Sequence, residues 1–570
     1  MCNSKRIVKS SKWALAGLLV LTLAIFAQTV HMRQAWFGWL SEGMHEWLSG
    51  TTLVASKNWY REGVFNLKFL ILENPKSIEF DTIEKRKPYY SYPPGAVLPI
   101  YAISKIRGKE PSAAVLMEYN LLNHFLIAFL LALTTYYLLL GIHLSRISAF
   151  IYSLIPPASE LLLPAPLYWH QNVFFSDQAI ILPFVAFVFL ETIRYRMLTS
   201  SNRLLLNVVQ GLVLFYGIFT DWFFVFLSLA VYLVRFVRGE MGLGIIGFVR
   251  KSFVYWLPAV IALLLFGWQI AQLDGLDTLI SIGKGRIGTA HDVYSQHFNT
   301  KLWARLIPWG YGQYGVHLLT MSIAGFVGGM MYVIYRKIRG LEVGYKLSAL
   351  LSLMAITLAP SFAQIYTFQN HSAVHDFSVL KLSVSISLIP FVVLPVMLAE
   401  FFNVDYFLSF FSNNKFVTHL FSWNWKNFPI LPVLMVIVAS AYLIDQGSRH
   451  NRFFGFKERK YMTFLDIGTF IDTNTNFNDV VFSPDFEIPR APPDRLSYSM
   501  KRVYKAKNLS DINRQLENMG LRGKAYNVVL FQKNGKSESL PRELRGLVIG
   551  MKLVSHKYGY RLYYLKYKIE

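Results

Sequence analysis

Apolar residues along this chain gather in nearly uncharged runs, among them Trp13 to Val30, Ile147 to Leu163 and Phe253 to Ile270. A helix rises 1.5 Å per residue, so a run of about 17 to 20 residues reaches across the roughly 30 Å hydrocarbon core of a bilayer. Spans are predicted over 13–30, 119–141, 147–164, 178–193, 204–219, 222–237, 253–271, 316–335, 347–364, 379–399 and 428–444, which makes eleven. No small-residue cleavage site follows 13–30, so this run is read as the first membrane helix and not as a removable signal. Beyond about residue 445 the pattern changes. Turn-rich polar stretches (Asp472 to Asp479, Pro484 to Pro493) alternate with β-type runs at Val480 to Ser483, Tyr526 to Phe531, Leu547 to Met551 and Arg561 to Tyr567. Ser510 to Met519 reads as a short helix stopped by Gly520. The predicted architecture is a polytopic α-helical membrane module over 1–444 followed by a small α/β domain over 445–570.

Charge orients the spans. Lys5, Arg6, Lys9 and Lys12 precede the first, and Arg194, Arg196 and Arg203 fill one short loop. Alternation then groups with them Arg146, the set Arg235, Arg238, Arg250 and Lys251, and the set Arg336, Lys337, Arg339 and Lys346, whereas loop 165–177 has no Lys or Arg. By the positive-inside rule these basic ends and the N-terminus are cytoplasmic. Residues 31–118, 272–315 and the tail are therefore expected outside a plasma membrane.

Only 16% of the 570 residues are charged, against roughly 25% in soluble domains. The formal net charge of +23 belongs to cytoplasmic loops facing anionic lipid head groups, and a nucleic-acid partner is not expected. Cys2 is the only cysteine, which excludes an intramolecular disulfide and a cysteine-based metal cluster.

Candidate chemistry lies on the outer side. Glu42, His45 and Glu46 follow the first span among Trp36, Trp39, Trp47, Trp59 and Tyr60, a carboxylate set in aromatics of the kind that holds and deprotonates sugars. Tyr90 and Tyr92 flank Ser91 ahead of the turn Pro93-Pro94-Gly95, and the apolar segment Ala96 to Ile103 returns toward the membrane. Asp177 and Asp221 stand at outer mouths of spans, where an acid also serves as a helix cap. In Asn370 to Phe377, His371 and His375 are four apart and share a face if the segment is helical, an arrangement suited to phosphate or to a divalent metal, with Asp376 beside them. Lys284 and Arg286 lie in the second outer loop, where an anion such as phosphate is their natural partner. P-loop, HExxH and G-x-S-x-G motifs are absent.

This layout resembles the GT-C membrane glycosyltransferases, and more closely the dolichyl-phosphate-mannose-protein mannosyltransferase-like and aminoarabinose transferase-like proteins. His45-Glu46-Trp47, then Ala55, Asn58 and Gly63, is similar to their His-Glu-Trp followed by Ala-x-x-Asn and Gly. Tyr90 to Gly95 resembles their His-Pro-Pro segment, and His375-Asp376-Phe377 their His-Asp-Tyr. Two departures stand out: Ser91-Tyr92 occupies the place of a His-His pair, which puts a metal requirement in doubt, and the first-loop acid is Glu46 in place of Asp. The resemblance implies transfer of a sugar from a polyprenyl-phosphate donor to a glycan, lipid or protein acceptor by a single inverting displacement. Glu46 and Asp177 would be the catalytic acids, and His45, Tyr90, Tyr92, Lys284, Arg286, His371, His375 and Asp376 would contact substrate. The competing readings are a lipid or solute transporter or flippase, and an O-antigen-type ligase or polymerase. The acids keep to the outer rim and no internal repeat is visible, both of which disfavour transport.

Overall fold

The structure is a computed structural model. It describes residues 3–34, 47–141, 146–196 except 172, 203–240, 245–287 except 274, 310–343, 345–394, 464–484 except 477, 502–521, 525–533, 552–557 and 560–568, together with single positions including 37, 45, 300, 302, 397, 543 and 544. Glu42, Glu46, Trp36, Trp39 and the expected span 428–444 lie outside the described residues.

Apolar helices dominate. Among the described residues six are long and apolar enough to cross a membrane: Lys12–Arg33, Ala113–Gly141, Ser176–Arg194, Gly315–Ile338, Leu347–Thr367 and Asp376–Val393. Trp256–Ala271 and Leu276–Ile287 reach that length only as a pair and are bent by 116° at their break, the geometry of a broken span or a re-entrant loop. Leu204–Ile218 and Phe223–Val237 are shorter apolar helices. The protein is thus a multi-pass membrane protein, and nine of the expected spans coincide with these elements.

The expected span 147–164 is instead three short helices, Arg146–Tyr152, Ile155–Leu162 and Pro164–Trp169. Proline is the reason. Pro156 and Pro157 sit in the first turn of the second piece and Pro164 opens the third, and a ring without an N–H interrupts a continuing helix but suits a helix start. The segment 376–393 is equally irregular: a 3-10 turn over Asp376–Leu382, an α-helix over Ser383–Leu388 and a π-turn over Ile389–Val393 that contains Pro390.

The loop between the first two spans is folded. A helix over Trp47–Glu62 ends at Gly63, whose φ of 89° needs a residue without a side chain. Trp59 is fully buried and donates its indole N–H to the Leu70 carbonyl at 2.8 Å. Asn58 donates to the carbonyls of Leu72 (3.0 Å) and Asn74 (3.3 Å). Trp59 is therefore a core residue of this loop and not part of an aromatic sugar face, and Asn58, Ala55 and Gly63 serve the loop's architecture.

The C-terminal region carries a five-stranded sheet in the order β2-β1-β3-β5-β4, with β1 Asp479–Ser483, β2 Val503–Lys505, β3 Ala525–Lys533, β4 Lys552–Lys557 and β5 Tyr560–Lys568. β1 is parallel to β2 and β3, and β5 is antiparallel to β3 and β4. Both faces are covered. Val480 and Phe482 pack against Ile512 and Leu516 of the helix Leu509–Asn518, while Val481 packs against Ile467, Phe470 and Ile471 of the helix Phe464–Asn474. The expected runs 480–483, 526–531 and 561–567 lie in β1, β3 and β5. The run 547–551 lies outside the described residues, and the strand nearby begins at Lys552.

Candidate functional site

Four separate pieces of chain meet at the ends of the spans next to the first loop. His45 stands just before the helix Trp47–Glu62 with φ of 58°, a costly conformation for a residue bearing a Cβ. Its Nε2 lies 3.5 Å from the Asp376 carboxylate. Its ring meets Trp169, His375 and Phe377 at centroid distances of 6.1, 5.6 and 5.3 Å. The helix carrying His371, Gln369–Val374, stops one residue short of His375, which is extended. The expected single helical face is thus not formed, yet the two imidazoles remain neighbours at 4.4 Å between centroids.

Tyr92 joins from the proline turn. Its hydroxyl is 3.1 Å from His371 Nε2, and the Arg286 guanidinium lies over its ring at 4.4 Å. One guanidinium nitrogen of Arg286, Nη1, is buried with no hydrogen-bond partner among the described residues. Arg286 is on the helix Leu276–Ile287, which Asn370 ties to the His371 segment by donating to the Gly285 carbonyl at 2.9 Å. The proline turn is pinned in its turn: Gly95 N–H donates to the Phe219 carbonyl at 2.8 Å, and the Trp222 indole to the Ser91 carbonyl at 2.9 Å.

Beside this set, and fully buried, lies a charged triad. Lys381 pairs closely with Asp177 and stands 3.6 Å from Asp221. Asp221 also accepts from Gln364 Nε2 and from the Phe223 N–H, each at 2.8 Å. Asp221, one residue before the N-cap Trp222, therefore takes up the first N–H of the helix Phe223–Val237 and also holds Gln364. Asp177 is paired and enclosed instead of standing open at a helix mouth.

Two expected contacts fall away from the cluster. Tyr90 is buried against Phe266 and Ile270, its hydroxyl 3.4 Å from the Leu273 carbonyl. Lys284 is exposed on the same helix as Arg286. Trp169, Gln364 and Lys381 join the site without a sequence signal, whereas Phe377 closes the His375-Asp376-Phe377 motif. So does Arg33, buried at the end of the first helix, which donates to the carbonyl of Leu167 (3.2 Å) and so fastens the turn that carries Trp169. As for metal, His371 Nε2 is engaged by Tyr92, and among the described residues no three His, Cys, Asp or Glu side chains form a group able to hold an ion. The described residues do not fit a metal centre.

No protein-family model matches the chain, and no curated protein sequence is significantly similar to it. Solved structures do match. ArnT from Cupriavidus metallidurans, bound to undecaprenyl phosphate, superposes with a TM-score of 0.50 at 10% identity, over 96% of this chain and 98% of its own. The archaeal oligosaccharyltransferase AglB from Archaeoglobus fulgidus, in complex with an inhibitory peptide and a dolichol-phosphate, gives a TM-score of 0.48 at 11% identity, over 92% of this chain and 70% of its own. Both are membrane glycosyltransferases of the GT-C superfamily. The fold shared with ArnT is the GT-C fold, in agreement with the resemblance read from the sequence.

Proposed function

We propose that the protein transfers a sugar from a polyprenyl-monophosphate donor to an acceptor hydroxyl at the extracytoplasmic face of the membrane. The observation that carries this reading is the meeting of Arg286, Tyr92, His371 and His375, with a buried guanidinium nitrogen that has no hydrogen-bond partner among the described residues. A guanidinium and imidazoles in one place suit a phosphate, the group whose departure drives the reaction. An apolar cavity of about 310 Å³ between Phe65 and Phe69 of the first loop and Phe215, Phe219, Leu265 and Trp268 of the spanning helices suits an isoprenoid chain, with Lys68 at its lining.

In this reading the acceptor oxygen attacks the anomeric carbon as the bond from that carbon to the phosphate oxygen breaks. The electron pair leaves with the phosphate, and the acceptor proton passes to the Glu46 carboxylate. The Asp177 triad supplies negative charge close to the positive charge that develops on the sugar. The tail from 445 onward is taken to lie outside with the first loop. Purified protein in lipid nanodiscs, given a set of polyprenyl-monophosphate sugars, should release polyprenyl phosphate and glycosylate an acceptor, with His375→Ala lowering donor use about tenfold. Turnover of soluble nucleotide sugars with lipid-linked donors inert would end the proposal. Preference for a diphosphate-linked glycan would reassign the protein to the ligases.

A further inference from the structure

Three segments that are distant in sequence end on the Lys381 ammonium. Asp177 comes from the start of Ser176–Ala179, Asp221 from the turn before Phe223–Val237, and Lys381 itself from the 3-10 turn Asp376–Leu382. All three side chains are at most 2% exposed, and together they are two carboxyl groups and one amine. An ammonium within a spanning segment needs one carboxylate to balance it, and charges kept at such depth are expensive unless they serve a function. The second carboxylate exceeds what burial of Lys381 requires.

The position of Lys381 shows what it can do. The 3-10 turn that ends on it begins with Asp376 and Phe377, which with His375 form one wall of the sugar-phosphate site described above. A 3-10 turn rises about 2 Å per residue and has poorer hydrogen bonds than an α-helix, so it holds its shape only when anchored. Lys381 stands roughly 10 Å along it from Asp376 on that rise. Other described contacts on the turn are Tyr311, which donates its hydroxyl to the Val379 carbonyl at 2.7 Å, Ser361, which donates to the Lys381 carbonyl at 3.2 Å, and His45, whose Nε2 lies 3.5 Å from Asp376 at the other end.

We propose that Lys381 is a positioning residue: by bridging Asp177 and Asp221 it fixes the 3-10 turn and thereby aims Asp376 at the reacting sugar, whereas His375, which precedes the turn, stays with the donor phosphate. It does not itself touch substrate. Arg286, Tyr92 and His371 sit on other segments and keep their grip on the donor without it. The inference rests on the proposed transferase reading.

The test is steady-state transfer from a polyprenyl-monophosphate sugar by the full chain in nanodiscs, with wild type in the same assay. Lys381→Met should lower kcat by about 10², the effect of a misplacement of about 1 Å, with KM for the donor within about threefold. Lys381→Arg, which still bridges two carboxylates, should return kcat to within about tenfold of wild type. The double variant Lys381→Met/Asp221→Asn leaves one buried charge fewer unbalanced than Lys381→Met does, so it should melt above the single variant while kcat stays low; it decides the matter if the single variant does not fold. Wild-type kcat in the double variant, or a Lys381→Met defect confined to KM, overturns the positioning role and leaves the transferase reading standing. A wild type inert toward every lipid-linked donor overturns both.

Discussion

His45 holds a backbone conformation that disfavours side chains, its Nε2 3.5 Å from the Asp376 carboxylate and its ring boxed by three others, and such strain persists only where surrounding contacts over-determine it. Glu46 follows it directly in sequence, which is the ground for assigning Glu46 as the base. A carboxylate accepts the acceptor's proton and an amide does not, whereas Glu→Gln preserves shape. Glu46→Gln is therefore expected to lower kcat by about 10² to 10⁴, roughly 3 to 5.5 kcal/mol of barrier, with melting temperature and donor binding unchanged. Glu42→Gln should be mild. Near-normal turnover in Glu46→Gln removes it as base, and a loss confined to Glu42→Gln transfers the role. At this scale much of the cluster was legible: His45, Tyr92, Asp177, Arg286, His371, His375 and Asp376 were nameable because polar groups at span ends are few. Lys381 was not, because one lysine inside an apolar run gives no hint of its partners until Asp177 and Asp221 arrive from elsewhere. Trp59 misled for the converse reason, since an aromatic in a loop looks the same in sequence whether it faces sugar or core.

Among the elements, the Pro93-Pro94-Gly95 turn is the connection on which the site depends. It carries Tyr92 to His371 on one side and lies against the loop preceding Asp221 on the other. A Cβ on Gly95 would stand 2.2 Å from Thr220 Oγ1 and 2.5 Å from the Phe219 carbonyl oxygen, the same oxygen that accepts the Gly95 N–H. Backbone cannot yield as a flexible side chain does. Gly95→Ala is expected to destabilise the protein by about 1–3 kcal/mol, seen as a lowered melting temperature, and to weaken transfer by separating Tyr92 from the triad. An unchanged melting temperature would show that the turn moves freely and does not link the two halves of the site. Sequence pattern located the turn from its prolines and located the long helices from their apolar runs. It did not foresee the 3-10 and π turns of 376–393 or the division of 147–164, because hydropathy measures the length of an apolar run and not the hydrogen bonding within it. The prolines at 156, 157, 164 and 166 were the available signal for the division.

For the molecule as a whole, the ion pairs between the tail and the first loop constrain the topology. Asp472 pairs with Lys57 at 3.2 Å and with Arg61 at 3.1 Å, and Arg502 reaches Glu79 at 2.7 Å. Tyr504 donates to the same carboxylate, and burial together with that bond pushes its hydroxyl pKa upward, so it remains a donor at neutral pH. Ile78 packs on the apolar face formed by the sheet and the helix Leu509–Asn518. These contacts exist only if the loop before the second span and the tail after the last share one side of the membrane, which requires an odd number of spans between the N-terminus and residue 464. Away from the site, Glu191 gathers Arg235 and Gln210 from two neighbouring helices, and Gln210 in turn accepts from Arg194 at 2.6 Å. Two of the basic residues used to set orientation, Arg194 and Arg235, thus meet in one network, and by the positive-inside rule that side is expected to be cytoplasmic. A reporter inserted after Lys109, at the exposed turn that Gly108 makes with φ of 63°, and a second fused after Glu570 should both read extracytoplasmic. Two reporters on opposite sides would be incompatible with the Asp472 and Glu79 pairs, and both on the cytoplasmic side would invert the orientation and place the site away from any donor presented outside.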